Sequence, residues 1–567
     1  MSVLSVVLVF MCATLIRCND EHPIVETPFG KIVGTYASSY SGRKYAEYLS
    51  IPYAKPPVGD LRFMDPEPNE PWVGIWHANF STECAQLRHS AESGGFFTGD
   101  EDCLYLSIFV PEIATTGKKS LDVFFDIHGG GFNFGSSSDY AGPEVIMDKD
   151  VIFAKINYRL GVLGFLSTED EIVPGNAGMK DQVLAIKWVK DNIKYFGGNP
   201  KSIILTGLSA GGASVHSHYL SPMSKGLFKA GISVSGNVLC PWVMQENALE
   251  KTREVASAVG CTQKTNRQLI DCLKSRPIKQ IVDSMRIHRA WLFNPFSTFG
   301  LVVEKHGKQR FMPEHPLELL KKGKIQNLPW LTSTVKHEGL YPVADFVGDA
   351  NILKELENNW NELLPLVLHY KESVSPDKLS SVSQAIKAFY FKDRPLDNNT
   401  IEELIQMASD RLFNVDVDKS MRLQAKANTA PTYYYYFTYV SDEVYTFTDL
   451  WTNLNRRVGV CHGDDLAFIF YKMYAPLKKY TDNDERMKDI LLNIWTSFAK
   501  TGNPEVAGVK WKAVSKNLND DINYLHISSP HNIKMKKINE IGHRSFWDSL
   551  PFEENEKLVH KYTKNEL

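Results

Sequence analysis

Short apolar runs bounded by turn residues recur along the whole chain. Such runs are typical of strands buried on both faces of a sheet. Two stretches with helical periodicity separate some of them, Met179 to Tyr195 and Arg486 to Thr501, and Gly502-Asn503-Pro504 ends the second. Strands that alternate with helices predict an α/β fold with a large, mostly parallel central sheet and helices on both faces. The predicted strands are 121–127, 151–157, 202–206, 229–234, 328–334 and 432–440.

Two further segments extend this pattern. Residues 23–37 combine turn residues with apolar–polar alternation, which predicts an antiparallel start. Residues 340–425 are rich in helix formers, and we expect several helices packed beside the functional site.

The first residues have the pattern of a secretory signal peptide. Val3 to Ile16 is apolar and uncharged, and Arg17 ends the run, which is too short to span a bilayer comfortably. A buried first helix is the alternative. We take residues 1–18 as the signal peptide, with cleavage between residues 13 and 20. No other segment is long and apolar enough to cross a membrane.

Composition indicates a globular protein but does not indicate which reaction it could catalyse. The 567 residues are 43% hydrophobic and 23% charged, with a net charge of -3, which is ordinary for a globular protein. The sequence has neither a basic stripe nor a zinc-type Cys/His cluster, so we expect no nucleic-acid partner and no metal. Length alone would allow several domains. Candidate catalytic groups spread from residue 128 to residue 462 must converge, so we expect one domain over 19–567.

Ser209 is the strongest candidate for chemistry. It lies in Gly207-Leu208-Ser209-Ala210-Gly211, directly after a predicted strand and before a small-residue helix start. This is the layout of a nucleophile elbow, a turn so sharp that its neighbours need to be almost free of side chains. An ordinary glycine-serine turn is the alternative.

An elbow requires oxyanion donors upstream, then an acid and a histidine downstream. His128-Gly129-Gly130-Gly131 follows a predicted strand, and its uncovered N–H groups could face an oxyanion. Glu338 lies just beyond strand 328–334, at the edge of the sheet where a catalytic acid is needed. His462 lies in the loop 459–465. Taken singly, these are also the features of a surface loop, a solvated glutamate and a structural histidine.

At this point the chain resembles a known family, the type-B carboxylesterases and cholinesterases of the α/β-hydrolase class, and within it the insect β-esterases. The similarity covers nearly the whole mature chain. Its marks are Ile51-Pro52-Tyr53-Ala54-Lys55-Pro56-Pro57, Glu101-Asp102-Cys103-Leu104-Tyr105-Leu106, Asn157-Tyr158-Arg159-Leu160-Gly161, Gly175-Asn176-Ala177-Gly178, Lys180-Asp181-Gln182 and Phe196-Gly197-Gly198-Asn199-Pro200.

The resemblance implies a role for each candidate residue. It makes Ser209 the nucleophile, Glu338 the acid and His462 the base. It makes an oxyanion hole from the backbone N–H groups of Gly130, Gly131 and Ala210. It aligns Trp242 with a residue that lines the acyl pocket of similar insect esterases, although a tryptophan in the core is the simpler interpretation.

Leu208 departs from the family pattern, which usually has Glu or Gln before the serine. The change removes a polar group next to the nucleophile and puts in doubt any step that needs it, including the positioning of water for deacylation. We expect a more apolar floor to the substrate pocket at Leu208.

Cysteines and sequons agree with a secretory route. Cys12 and Cys18 lie in or beside the signal, and the six other cysteines allow many pairings. Local spacing favours Cys84 with Cys103 and Cys261 with Cys272, and the family has bridges at both places. Cys240 and Cys461 are then left over, the latter expected to be buried and reduced. The sequons at Asn79 and Asn398 are candidate glycosylation sites.

The last four residues, Lys564-Asn565-Glu566-Leu567, differ by one from a K-D-E-L retention signal. Related carboxylesterases use variants of this tail to remain in the endoplasmic reticulum. Retention in that lumen and secretion are therefore both open, because a charged tail can end in Glu-Leu by chance.

These features predict a serine carboxylic ester hydrolase that needs no cofactor and acts on a small-molecule ester of xenobiotic, odorant or lipid type. The alternative is a catalytically impaired protein that sequesters esters or organophosphates, or an adhesion or binding protein of the same family. The loop from Cys84 to Cys103 lacks the tryptophan on which cholinesterases stack choline. Juvenile hormone esterases usually carry Gln where Leu208 stands, so a general carboxylesterase is favoured.

Overall fold

The computed structural model describes residues 22–88, 95–115, 120–139, 142–392, 394–441, 443–444, 458–470 and 480–552. The predicted signal peptide and the tail Lys564–Leu567 lie outside these ranges. In the ranges described, no helix has both the length and the apolar character needed to cross a membrane.

One large sheet organises the chain. With the strands numbered in chain order as given at the end of this paragraph, the strand order is β16-β15-β14-β13-β12-β11-β9-β10-β8-β4-β3. The seven strands β9 to β15 form a parallel block. The outer pairs at both ends are antiparallel. The strands are β1 Ile24–Thr27, β2 Gly30–Val33, β3 Thr35–Ser38, β4 Lys44–Pro52, β5 Ile75–His77, β6 Gln86–Arg88, β7 Phe96–Thr98, β8 Tyr105–Pro111, β9 Leu121–Ile127, β10 Ile152–Ile156, β11 Gly198–Leu208, β12 Ala230–Val234, β13 Trp330–Val335, β14 Thr432–Phe437, β15 Ile522–Ser529 and β16 Asn532–Ile538.

The predicted α/β class is therefore confirmed, and each of the six predicted runs overlaps a strand. The antiparallel start is confirmed by the pairing of β1 with β2. The helices are Glu112–Thr115, Gly161–Phe165, Ala177–Asn192, Ala210–Leu220, Ala248–Ala258, Asn266–Lys274, Ile278–Ser284, Pro316–Lys321, Ala344–Val347, Ala350–Asn358, Trp360–Val367, Leu379–Phe391, Ile401–Ser409, Val415–Ala427, Asp482–Thr501 and Arg544–Asp548.

The helix predicted from Arg486 begins earlier, at Asp482. Thr481 caps it, because its side chain accepts from the Asp484 N–H while the Asp484 side chain accepts from the Thr481 N–H. It ends at Thr501, as the sequence predicts, with Gly502 in the left-handed region at φ 75°.

Alternating residues of the central strands face two different apolar clusters. On β11, Ile203 and Leu205 belong to the larger cluster, whereas Ile204 and Leu208 belong to the second. Because successive side chains of a strand point to opposite faces, the two clusters mark the two covered faces of the sheet.

Several family-like motif residues hold the fold together. The Arg159 guanidinium donates to both carboxylate oxygens of Asp181, at 2.8 and 2.6 Å, and this pair is buried. Lys180 contacts Glu304 at 2.8 Å. A buried ion pair is costly to break, because removing one partner leaves the other charge desolvated.

Among the described residues, two disulfides each close a short loop. Cys84 is bonded to Cys103 and Cys261 to Cys272, which are the two pairs that the sequence favours. Cys240 and Cys461 are free and buried. Both sequon asparagines, Asn79 and Asn398, are exposed, so an attached glycan would meet no packed neighbour there.

Candidate active site

Ser209 lies alone between β11 and helix Ala210–Leu220. Its backbone has φ 60° and ψ -121°, a region that a residue with a side chain rarely adopts. Only 9% of the residue is exposed. Strain of this kind persists where the surrounding structure enforces it, and it is common at reactive residues.

Glycines make this turn possible. A Cβ on Gly211 would overlap the carbonyl oxygen of Ile127, and one on Gly236 would overlap the carbonyl oxygen of Ser209 itself. A Cβ on Gly129 would lie 3.2 Å from the Ser209 Cβ. The glycine-rich loop after β9 and the strand end after β12 therefore touch the elbow directly.

The candidate oxyanion donors are oriented by what their peptide planes bond to. In a trans peptide, the C=O and the next N–H point in opposite directions. Burial lowers the pKa of His128 to about 4, so its ring is neutral, and its Nδ1 donates to the Gly129 oxygen at 2.8 Å. Because the Gly129 oxygen points toward the His128 ring, the Gly130 N–H points away from that ring.

The next two peptides are fixed in the same manner. The Gly130 oxygen accepts from Asn133 and Phe134 N–H groups at 3.0 and 3.1 Å, so the Gly131 N–H faces away from that turn. The Ser209 oxygen accepts from Ala213 N–H at 2.8 Å, so the Ala210 N–H points out of the helix N-terminus. These contacts orient the three peptide planes, and the role of the Gly130, Gly131 and Ala210 N–H groups as oxyanion donors remains a prediction.

Glu338 and His462 form a buried pair. Glu338 Oε2 lies 2.6 Å from His462 Nδ1. The other oxygen, Oε1, accepts from the Ser235 hydroxyl at 2.6 Å and from Val335 N–H at 2.8 Å. Glu338 is fully buried, and each of its oxygens is engaged. Charge-assisted bonds of this kind fix the orientation of the imidazole.

Ser235 links this pair to the elbow. It follows β12, has φ 50°, and its hydroxyl bonds Glu338. Its neighbour Gly236 packs on the Ser209 carbonyl, and Val234 O accepts from Ser209 N–H at 2.9 Å. The structure thus places Ser209 directly after β11 and Glu338 just after β13, at the same edge of the sheet, and it places His462 against Glu338. Their catalytic roles remain predictions.

A ring of aromatic side chains surrounds His462. Phe413 lies 4.7 Å and Tyr341 5.4 Å from it, measured between ring centroids. Trp242 contacts Phe413 and Phe296 at 6.0 Å each, and Phe296 contacts Tyr341 at 6.3 Å. These four aromatic rings and the imidazole form a closed cycle of contacts, so the four rings make an apolar wall beside the imidazole.

Phe413 reaches this wall from an unusual turn. Residues Asp410–Asn414 are π-helical, and Val415 N–H donates to the Asp410 oxygen five residues back. Within that turn the Leu412 oxygen accepts from the Trp242 indole N–H at 2.8 Å. Such insertions into helices occur mostly at functional sites.

The two predicted pocket residues differ in their surroundings. Trp242 is buried in the larger cluster and takes part in the aromatic wall, so it is both a core residue and a wall residue. Leu208 is 7% exposed and belongs to the second cluster, together with Val234, Val335 and Val460. The side chain in the place of the usual acid is thus packed among apolar groups.

Asp465 is a second buried carboxyl close to the histidine loop. Its Oδ2 accepts from the Tyr435 hydroxyl at 2.8 Å. Burial raises the pKa of Asp465 to about 7. No cluster of three or more His, Cys, Asp or Glu side chains suited to a metal occurs among the described residues.

Sequence reasoning missed Ser235, Phe413, Tyr341 and Asp465. Ser235 has a usable signal, since it follows a predicted strand at the same edge of the sheet as Glu338. The other three lie in helical or loop segments, where nothing in the local pattern indicates which side chain faces the histidine.

Comparison with known proteins agrees with this geometry. A family model described as the Carboxylesterase family matches residues 21–547. Venom carboxylesterase-6 of Apis mellifera is 41% identical over 556 residues, covering 97% of this chain and 99% of that protein. Esterase E4 of Myzus persicae is 38% identical over 538 residues, covering 94% and 96%. Juvenile hormone esterase of Tribolium castaneum is 35% identical over 565 residues, covering 95% of each.

A solved structure is similar over almost the same length. The crystal structure of juvenile hormone esterase from Manduca sexta, with OTFP covalently attached, superposes with a TM-score of 0.80 at 28% identity. The match covers 95% of this chain and 100% of that chain.

Proposed function

We propose that this chain, which belongs to the carboxylesterase family and is a carboxylesterase-type hydrolase, cleaves carboxylic esters through an acyl-enzyme on Ser209. The observation that carries the proposal is the buried pair of Glu338 and His462, 2.6 Å apart, held beside a strained serine elbow. A serine becomes a nucleophile when a histidine oriented by an acid takes its proton.

In the first step, His462 accepts the Ser209 proton as the serine oxygen attacks the ester carbonyl. The carbonyl oxygen becomes negative and is met by the N–H groups of Gly130, Gly131 and Ala210. One such donor typically lowers the barrier by about 3 kcal/mol. His462 then gives its proton to the departing alcohol, and the acyl group remains on Ser209.

In the second step, water replaces the alcohol. His462 takes a proton from the water, the hydroxide attacks the acyl carbon, and the acid leaves as the proton returns to Ser209. Glu338 orients the imidazole and stabilises the imidazolium. Leu208 offers no hydrogen bond to this water, so its positioning depends on the other groups.

The test is hydrolysis of p-nitrophenyl esters of increasing acyl length by the oxidised protein without its signal peptide. We expect turnover with an optimum length, and a loss of at least about ten-thousand-fold in Ser209→Ala. Ser257→Ala, at an exposed serine of helix Ala248–Ala258, is the matched control and should be unchanged. Ester hydrolysis retained by Ser209→Ala would contradict the proposal.

Sequestration is the second candidate, and Leu208 is the feature that favours it. A chain that acylates but deacylates slowly would release one equivalent of p-nitrophenol and then stop. A burst without turnover that is absent in Ser209→Ala would show that the chain binds its ester stoichiometrically and does not act as a hydrolase. Complete absence of reaction would favour an adhesion or binding role.

The substrate class we favour is a broad one, esters of xenobiotic, odorant or lipid type. The apolar aromatic wall beside His462 supports an apolar acyl or alcohol group. The related enzyme from Manduca sexta carries OTFP covalently, and we expect OTFP to inhibit this chain and to fail to modify Ser209→Ala.

We also infer that residues 1–18 are removed, that residues 19–567 form one domain, and that the mature protein is secreted or held in the endoplasmic reticulum by Lys564–Leu567. Deletion of the last four residues should increase its amount in the medium if retention operates. An unchanged distribution would exclude retention and favour secretion.

A further inference from the structure

A second buried histidine, His337, lies directly before Glu338 in the chain. Its ring is not part of the candidate triad. An imidazole has two polar nitrogens, and in a buried ring both are normally hydrogen-bonded. One nitrogen of His337 contacts the loop that carries His462, and the other contacts Glu402 on helix Ile401–Ser409. The ring therefore lies between the candidate catalytic loop and a helix beside it.

Two hydrogen bonds join His337 to Val460, two residues before His462. The His337 N–H donates to the Val460 oxygen at 3.0 Å, and the Val460 N–H donates to His337 Nδ1 at 3.2 Å. The backbone donor and the backbone acceptor of Val460 are thus both bonded to one residue. Val460 is buried, so loss of the ring would leave its N–H without a partner, which a folded chain avoids.

Gly459 lets the loop approach the ring this closely. Its φ is 151°, and a Cβ at this position would overlap the His337 imidazole. Only a residue without a side chain fits there. The contact between the loop and His337 is therefore built into both segments.

The direction of these bonds assigns the tautomer of His337. Because Nδ1 accepts from Val460, Nε2 carries the hydrogen and donates to Glu402 Oε1 at 3.2 Å. Burial lowers the pKa of His337, while the Glu402 carboxylate raises it in part and Lys336 lowers it further. The ring is therefore neutral at neutral pH, and a neutral ring keeps one nitrogen as an acceptor.

Adjacent side chains thus hold two points of the same loop. His337 holds the backbone at Val460, and Glu338 Oε2 lies 2.6 Å from His462 Nδ1. Between these points the Cys461 N–H donates to Asp464 Oδ2 at 2.6 Å. A shift of the backbone at Val460 would carry His462 with it. Misplacement of a catalytic group by about 1 Å can cost about a hundredfold in rate.

We propose that His337 is a positioning residue for the reaction, because its ring fixes loop 459–462 and so keeps His462 where it meets Glu338. The inference rests on the proposed ester hydrolysis. His337 contacts no substrate and exchanges no proton in either step, and it acts through Val460. Glu402 is the minor partner, since its side chain is 61% exposed.

Two replacements of His337 separate the roles of its two nitrogens. His337→Asn places an acceptor oxygen near the position of Nδ1, and His337→Gln places its amide near the position of Nε2. We expect His337→Asn to retain most of the kcat for p-nitrophenyl esters. In His337→Gln we expect kcat to fall about tenfold to a hundredfold with KM almost unchanged. A merely structural role would affect both variants alike.

Three further variants complete the set. Glu402→Gln keeps an acceptor for His337 Nε2 and should match the parent. His306→Gln makes the same replacement at an exposed histidine and should have no effect. Gly459→Ala displaces the ring from the loop side and should also lower kcat, so it tests the contact even if His337→Gln does not fold. The thermal midpoint of each variant checks folding.

Hydrogen exchange of the Val460 amide tests the anchor without any ester. A bonded and buried amide exchanges only when the structure around it opens. We expect the amide to be protected in the parent and in His337→Asn. In His337→Gln its exchange should be about tenfold faster or more, because the bond to Nδ1 is lost.

Several results would overturn the proposal: equal kcat in the parent and His337→Gln, equal losses in His337→Asn and His337→Gln, a change in KM alone, or unchanged exchange of the Val460 amide. Full activity of Gly459→Ala would also contradict it. If the parent itself hydrolyses no ester, the proposed function fails. The exchange of the Val460 amide would then still decide whether His337 holds the loop.

Discussion

Two carboxylate–histidine pairs lie close together and differ in burial. Glu338 is fully buried and accepts hydrogen bonds on both oxygens from Ser235, Val335 and His462. Glu402 lies 3.2 Å from His337, and the Glu402 side chain is 61% exposed. A buried and saturated set of hydrogen bonds fixes one geometry, as a reaction requires. An exposed pair is screened by water and holds its partner weakly.

Among the variants considered, Glu338→Gln should have the largest effect on activity. The amide keeps the size of the carboxylate but cannot accept all three bonds, so the imidazole loses its orientation. We expect kcat for p-nitrophenyl esters to fall about 10³–10⁴-fold with little change in KM or in the thermal midpoint.

Glu402→Gln is the matched control. Glu402 lies 3.2 Å from His337 in a second carboxylate–histidine pair, but its side chain is 61% exposed. Activity should be unchanged in this variant. An equal loss in both variants would mean that the Glu338 effect is not specific to the buried pair.

Gly236→Ala tests whether the tight packing of the elbow supports its geometry. A Cβ there would overlap the Ser209 oxygen, and we expect about 3 kcal/mol or more of lost stability together with loss of activity. Gly226→Ala provides the contrast, since a Cβ at Gly226 meets nothing within 4 Å, although its φ of 73° costs about 1 kcal/mol. Urea unfolding would measure both, and equal destabilisation would contradict the packing argument.

Asp465→Asn tests what a second buried carboxyl group, close to the histidine loop, contributes to stability. Its pKa is raised by burial to about 7. The folded protein therefore keeps a proton that the unfolded chain has lost, and stability falls as pH rises from about 4 to about 7. The asparagine variant should escape this loss and be more stable than the parent at pH 8, by on the order of 2 kcal/mol.

Thermal midpoints at pH 5 and pH 8 measure this effect. Asp60→Asn, at an exposed carboxyl, should retain the pH dependence of the parent. If Asp465→Asn retains it as well, another group is responsible.

The sequence predicts the candidate catalytic residues better than the side chains around them, and the reason is physical. An elbow requires small residues at fixed offsets from Ser209, and a parallel sheet brings strand ends together. Local pattern and chain order therefore indicate Ser209, Glu338 and His462, whose catalytic roles remain predictions. Phe413, Tyr341 and Asp465 come from separate segments without a shared period. Which of these side chains lies near the histidine depends on packing between those segments, which no local pattern records.

The same distinction explains the predicted elements. The buried strands of the parallel block were found because each is a continuous apolar run. The helices of 340–425 were expected, but their order was not, because each can pack against several neighbours. Leu208 was expected at the floor of the pocket. The structure shows it among apolar side chains, while its contact with substrate remains a prediction.

In the π-helical turn Asp410–Asn414, the number of residues matters as much as their identity. Its extra residue rotates everything that follows by about 100° relative to an uninterrupted helix. That rotation allows Phe413 to face His462 while Asp418 faces Arg544 and Ile541. Deleting one residue would force a choice between the two contacts. A substitution within this turn changes the contacts of one side chain, whereas a gap of one residue would separate the wall of the candidate active site from the helix that follows it.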